Sequence, residues 1–539
     1  MNKTEKKILV ILALAQFILT LDSTVMNVSI STLVADLHTT VGGVQTAITF
    51  YTLVMAAFMI PGAKIGDLIG RKKAFIIGTI IYGMGSLITS MSVNLGMLLF
   101  GWSLLEGVGA ALMIPAMLSL IASNYSAGPK RVKAYASTAA IGAVGAAVGP
   151  IVGGALTTYA TWRLAFLGEV VVVVYILLKR GVIKDSVVAQ KVKGFDWRGT
   201  IFAASGLGLL VYGILQASSY GLLKTREAYS ILGWSVPVGG ISPTIVLTAL
   251  GVLLLSVFVW WQARQNKRSA PALLNLSLLK NKVVRSGAAT IFFQLLLLGG
   301  VMYGISLYLQ MELGYNAMQT GLTLLPLSVM ILVLAMRGEK MATKYPSRFL
   351  IRVGFLCMLL GSAWLGLRAG KNPSGIDFLP CLALFGAGMG IMASQLQNVV
   401  QNSVSEKQSA ETSGIMATFQ YLGQSFGTAI SGVLIMSVFV ITGTTLVAQN
   451  ANLTAGEKAQ LTAAIEAKPQ IVSDAQLQQA TNELPAEKAN EVALINSQTR
   501  QKALSSMFIL LSVVSLAGLL TAQNLPNNKP KILEAQQTP

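Results

Sequence analysis

Charged residues make up only 11% of this 539-residue chain, about half the share carried by a soluble protein of that length. So low a charge excludes a water-soluble globular enzyme of ordinary composition. Cysteine is nearly missing too: Cys357 and Cys381 are the two present, and neither a disulfide framework nor a metal-ligand spacing can be built from them. His38 is the sole histidine, which removes histidine-based metal centres and leaves His38 itself without an assigned role. No GxxxxGK[ST] loop occurs, so nucleotide hydrolysis is not the energy source expected. No cluster of nucleophile, base and acid sits near either expected membrane face, so neither an enzyme nor a bound cofactor is expected.

What the chain does have is apolar length. Fourteen runs long enough to cross a bilayer fall near residues 8–31, 44–63, 74–93, 97–121, 134–157, 164–178 and 199–218. The other seven fall near 241–262, 286–311, 318–336, 349–367, 377–398, 412–441 and 503–522. Lys3, Lys6 and Lys7 precede a first run too long for a signal core, so that run is expected to stay as the first membrane helix. The net charge of +19 raises the question of nucleic acid, but its distribution answers otherwise. With the N-terminus inside, 30 of the 40 Lys and Arg residues fall on the cytoplasmic side, Arg352 at the inner end of span eleven included. That bias is the positive-inside pattern, and it places both termini in the cytoplasm. Attraction to anionic lipid heads is a secondary consequence, and no nucleic-acid partner is expected.

The spans group as six, two and six: residues 1–180, a linker with two further helices over 181–280, and residues 281–523. Residues 443–501 interrupt the last group with a polar, Ala- and Gln-rich loop, expected on the extracytoplasmic side. Thr454 with Glu457 and Ser473 with Gln476 have capping-box spacing, which predicts two short helices there. Residues 524–539 form a short polar cytoplasmic tail, expected to be disordered.

Three acids lie inside spans: Asp22 in span one, Glu106 in span four and Glu169 in span six. An intramembrane acid costs a few kcal/mol to place, so each is a candidate for taking up a proton or pairing with a cation. Apart from Arg163 at the end of span six, no basic residue in these six spans neutralises them. A hydrogen bond that merely joins two helices is the structural alternative for each. The turn after span two carries Asp67, Gly70, Arg71 and Lys72, where a carboxylate at a helix end and a following basic run can latch one conformation or simply set the topology without gating. Arg337 to Arg348, after span ten, is a faint echo of that turn. Gly145, Gly149 and Gly153 recur every fourth residue in span five, with Pro150 and Gly154 beside them. They offer one small-residue face to a neighbouring helix and a bend at the proline. Amides and aromatics within spans are candidates for a substrate cavity: Gln294, Tyr303, Tyr308, Gln310, Gln395, Gln397, Asn398, Gln420 and Gln424. Most such groups join helices rather than contact ligands. The 21 methionines suit an adaptable apolar pocket.

Together these residues resemble the fourteen-helix drug:proton antiporter family of the major facilitator superfamily. Leu21–Val28 is similar to that family's first-helix motif, and Asp67, Gly70 and Arg71 are similar to the superfamily's loop signature. Gly142–Gly154 resembles the antiporter motif of the fifth helix, and Asp196–Gly199 and Tyr421–Gly423 are similar to later family segments. The chain departs from the pattern at Ser103, where an arginine is usual, at Glu106, where glutamine is usual, and at Glu169, where asparagine is common. The resemblance implies an all-α polytopic membrane protein with the major facilitator fold and fourteen helices. It also implies proton-coupled efflux of a small amphipathic, cationic substrate across the inner membrane of a prokaryote, by alternating access and as a monomer. Asp22 is then the proton or cation site, shared here with Glu106 and Glu169. The rival readings are an exporter of one specific metabolite and a receptor or scaffold that keeps the fold without transport.

Overall fold

The computed structural model describes residues 1–126, 128–185, 194–231, 234–268, 270–371, 373–404, 406–467, 469–482 and 485–527. Among them run fourteen long helices. The first six are α1 (Lys3–Val28), α2 (Val41–Ile69), α3 (Arg71–Ser90), α4 (Leu95–Asn124), α5 (Pro129–Tyr159) and α6 (Arg163–Lys179). A pair follows, α7 (Trp197–Tyr220) and α8 (Pro243–Lys267). The last six are α9 (Lys282–Glu312), α10 (Ala317–Lys344), α11 (Ser347–Ala369), α12 (Gly375–Gln401), α13 (Glu406–Gln449) and α14 (Ala486–Thr521). Thirteen of these are long and apolar enough to cross a membrane. The exception is α6, whose 17 residues fall just short of the roughly 20 that span a bilayer core.

Local chemistry sets many of the boundaries. Asn2 and Glu5 close a capping box at the start of α1, and Asn316 with Gln319 does the same for α10. Asp196 caps α7 by accepting from the Gly199 amide at 2.8 Å, and its carboxylate also receives Trp261 and Gln262 of α8. One aspartate thus starts α7 and joins the pair. Large apolar side chains such as Val171, Leu178, Val252 and Trp260 stay exposed on the outer faces of helices, the expected surface for a protein whose solvent is lipid.

Two ends can be told apart. The basic end carries the Gly70 turn, and the loop end carries the polar segment between α13 and α14. That segment is shorter than the 443–501 expected: α13 continues to Gln449 and α14 begins at Ala486. The reason is local. Thr444 and Thr445 return their hydroxyls to carbonyls one turn earlier, at 2.9 and 2.7 Å, so these polar residues sit comfortably in helix. The two short helices expected from the capping boxes are present, at Ala455–Ala467 and Asp474–Ala480. The tail expected at 524–539 lies outside the described residues from 528 onward.

Arg500 binds this segment to the bundle. It is fully buried in α14, and its guanidinium donates to Asp474 at 2.8 Å, to the Val472 carbonyl at 2.7 Å and to Glu312 at the end of α9. Removing one partner of a buried ion pair leaves the other uncompensated, at a cost of about 3–5 kcal/mol. Arg500→Met should therefore loosen residues 450–485, read as rapid protease cleavage there while the remaining helices persist. Intact protection would contradict the role. A second tie joins Glu457 to Lys488. Lys488 and the Thr454 amide and hydroxyl hold the Glu457 carboxyl down from its ordinary 4.5 to about 2. A depressed folded value stabilises at higher pH, so this tie is complete above about 4.5 and lost as pH falls toward about 2.

Candidate functional site

The three intramembrane acids meet. Asp22, Glu106 and Glu169 are all buried, and each offers a carboxylate oxygen within 4.8 Å of the others. Asp22 lies on the face of α1 that also buries Ile18, Leu19, Val25 and Met26. Glu106 closes a π-helical stretch of α4, Leu99–Glu106, a widened turn of the kind found at functional sites. Gly85 of α3 makes room for it: a Cβ there would stand 2.6 Å from Glu106 Cγ and 2.7 Å from the Gly101 carbonyl oxygen.

Neutral donors hold the carboxylates. Trp102 Nε1 donates to Asp22 Oδ1 at 2.8 Å, and the indole stacks on Tyr51 at 4.9 Å and 10°. Thr89 donates to Glu106 at 3.2 Å, while Tyr82 and Ser86 both donate to Glu169 Oε2, at 3.0 and 3.1 Å. Among the described residues no close hydrogen bond reaches Asp22 Oδ2 or Glu106 Oε2, while the Tyr51 hydroxyl is directed at the Asp22 carboxylate. No Lys, Arg or His among the described residues forms an ion pair with the three. Arg163 turns instead to Asp36 at 2.9 Å and to the Ser92 carbonyl at 2.8 Å. Three ionised carboxylates this close would repel one another and bear the full cost of desolvation. Protons or a cation must therefore accompany the cluster, and its oxygen donors suit a hard cation as well as they suit protons.

An adjoining face of α1 lines a central cavity of about 190 Å³ with Leu19, Ser23, Thr24 and Asn27, facing Gln420, Tyr421 and Gln424 of α13. Of the expected cavity groups, Gln420 and Gln424 are here. Tyr303 lies nearer the loop end and donates to Gln45 at 3.3 Å. Gln294, Gln310 and Gln395 join helices instead. Gln294 donates to the Met389 carbonyl, and Gln395 to the Gly338 carbonyl. Gln310 spans from α9 to the first helices, donating to the Asn27 carbonyl at 3.2 Å and accepting from the Ser31 amide at 2.8 Å. Asn398 lies on α12 and lines none of the three cavities described here.

At the basic end Asp67 pairs with Arg71, whose Nη1 also donates to the Ala63 carbonyl at 3.1 Å. Gly70 between them has φ 97°, a backbone region that a side chain would strain. Lys72 joins the turn through its backbone amide, which donates to Asp185 at 3.1 Å. Arg71 and Arg131 line a cavity of about 440 Å³ at this end.

The glycine helix α5 touches two partners. A Cβ on Gly145 would stand 2.5 Å from Thr20 Oγ1, one on Gly153 2.9 Å from Val25, and one on Gly149 would overlap Thr24, all on α1. Gly154 faces α10, where a Cβ would stand 2.5 Å from the Ala317 carbonyl oxygen, and the Pro150 carbonyl meets Gly321. Thr158 also accepts from the Met318 amide at 3.0 Å. The first and last six helices therefore meet where α5 packs on α10, and cavities lie between them at the centre and the basic end.

The reading of the sequence missed Trp102, Tyr51, Tyr82, Ser86 and Thr89. Trp102 alone left a trace, as a tryptophan one turn before Glu106 in mid-span; the hydroxyls look like ordinary span residues.

Comparison with known proteins identifies the family and the fold. The profile of the Major Facilitator Superfamily matches residues 12–193 and 195–428. A probable actinorhodin transporter of Streptomyces coelicolor is 30% identical over 464 residues, covering 84% of this chain and 76% of that protein. The puromycin resistance protein of Streptomyces alboniger is 28% identical, covering 78% and 80%. Multidrug resistance protein Stp of Mycobacterium tuberculosis is 23% identical, covering 80% and 76%. Among solved structures, a bacterial homologue of the human lysosomal transporter Spinster, inward-facing and unoccupied, superposes with a TM-score of 0.62 at 12% identity over 97% of this chain and 98% of that one. A D-xylose–proton symporter superposes with a TM-score of 0.57 at 14% identity over the same shares. Matched through nearly all of α1–α13, this chain belongs to the Major Facilitator Superfamily of membrane transporters.

Proposed function

We propose that the protein exports small amphipathic cations across the cytoplasmic membrane of a prokaryote, each in exchange for protons. The observation that carries this reading is the uncompensated triad of Asp22, Glu106 and Glu169, on the helix whose adjoining face lines the central cavity. Protons on the triad and a cation in the cavity are linked through α1, so loading of one site changes the cost of loading the other. The basic end is cytoplasmic in this reading, and the cavity there admits substrate. Rocking of the first six helices against the last six then opens the loop end. The Asp67–Arg71 turn latches the cytoplasmic side when it closes, and the protein works as a monomer. The relatives named for antibiotic and multidrug resistance support a drug-like substrate.

Inside-out vesicles test the reading. Ethidium should accumulate when the vesicle interior is made acidic, and a protonophore should release it. Uptake indifferent to the pH gradient would defeat the proposal.

A further inference from the structure

A third cavity, of about 460 Å³, lies at the loop end, within the roughly 300–1,000 Å³ range of small-molecule sites. Its roof is the segment Pro469–Gln476, which Arg500 holds in place through Val472 and Asp474. Gln216, Ser218 and Ser219 at the end of α7 form one wall, and Ile435 and Met436 of α13 form another. Glu227 is the one charged side chain among the described residues that line it, and no described residue forms an ion pair with it. An apolar wall, amides and one free carboxylate are the recognition set for an amphipathic organic cation.

The floor is one helical turn thick. Gln45 and Tyr303 line this upper cavity, and Ile48, Met302 and Thr428 line the central one below. Between them Gln45 Nε2 donates to the Thr428 carbonyl at 2.9 Å, and its Oε1 accepts from Tyr303. The Gln45 carboxamide rests on Gly432, where any Cβ would overlap it. Gln45 on α2, bonded to Tyr303 of α9 and to the Thr428 carbonyl of α13, thus stands between the two cavities.

We infer that the loop-end cavity is a second binding site for organic cations, an exit vestibule that holds substrate after it passes the Gln45 gate and before it leaves beneath the 450–485 segment. This inference rests on the export reading above, since it takes the loop end as the exit.

Ethidium binding to the whole protein in nanodiscs tests it. Two classes of site are expected, and Glu227→Gln should weaken one of them about tenfold while the other is unchanged. Glu227→Lys should remove that class altogether. Independently, Ser219→Cys in a Cys357→Ser, Cys381→Ser background should react with an impermeant maleimide added outside intact cells, and ethidium should block the reaction. A single class of site unaffected at Glu227, or labelling that ethidium leaves unprotected while ethidium is still exported, would overturn the vestibule and leave export standing. Ethidium neither bound nor exported would overturn both.

Discussion

Asp22→Asn should abolish proton-driven accumulation in inside-out vesicles while the protein remains folded in the membrane. Asparagine keeps the size of aspartate and an oxygen for the Trp102 indole, which now bonds Oδ1 at 2.8 Å. It neither binds nor releases a proton, so the exchange proposed above loses one of its two ligands. Coupling between linked sites is typically worth about 1–3 kcal/mol, or about 5–150-fold, and the whole of it should vanish from the pH-gradient dependence. Counterflow, which needs no net proton movement, should survive. That split separates a coupling role from misfolding, which would remove both. Glu106→Gln combined with Glu169→Gln should act in the same direction, because each acid lies within 4.8 Å of Asp22. Gradient-driven transport unchanged in that double variant would refute a shared proton site.

The two faces of α5 should respond differently to the same substitution. Gly149 meets Thr24 within the first six helices, at a contact that need not move during transport. Gly149→Val overpacks it, at a cost of about 1–3 kcal/mol or more, and should lower the melting temperature and the amount of protein recovered. Gly154 meets Ala317 across the boundary with the last six helices, where a Cβ would stand 2.5 Å from a backbone oxygen. Gly154→Val should wedge that boundary open with little loss of thermal stability, because α5 and α10 can part there by the motion transport already requires. Ser23→Cys, in the central cavity, should then react with an impermeant thiol reagent from the loop end. Equal loss of stability in both variants, with no change in labelling, would remove the distinction between a fixed and a moving face.

Much of the architecture was legible along the chain. Fourteen apolar runs correspond to fourteen long helices, with α6 the one too short to count as a span by length alone. The bilayer makes this possible, since it demands long apolar runs and biases lysine and arginine, both properties of the linear sequence. The capping boxes at Thr454 and Ser473 were equally readable, because their donors and acceptors lie three residues apart. The limits of the loop were not. Hydropathy ends where polar residues begin, whereas α13 and α14 continue through Thr444 and Arg500, satisfied by backbone carbonyls and buried partners.

The site divides in the same way. Hydropathy and spacing along the chain suffice to place Asp22, Glu106 and Glu169 as acids inside spans with no cation nearby, and to give α5 a small-residue face. Helix packing brings the three acids into one cluster, gives them neutral indole and hydroxyl donors, and commits Gln310 and Gln395 to joining helices. It also places Gln45 between two cavities. The reason is that burial cost is a property of one residue in its span, while a partner's identity depends on which helices touch, and no spacing in the sequence encodes that.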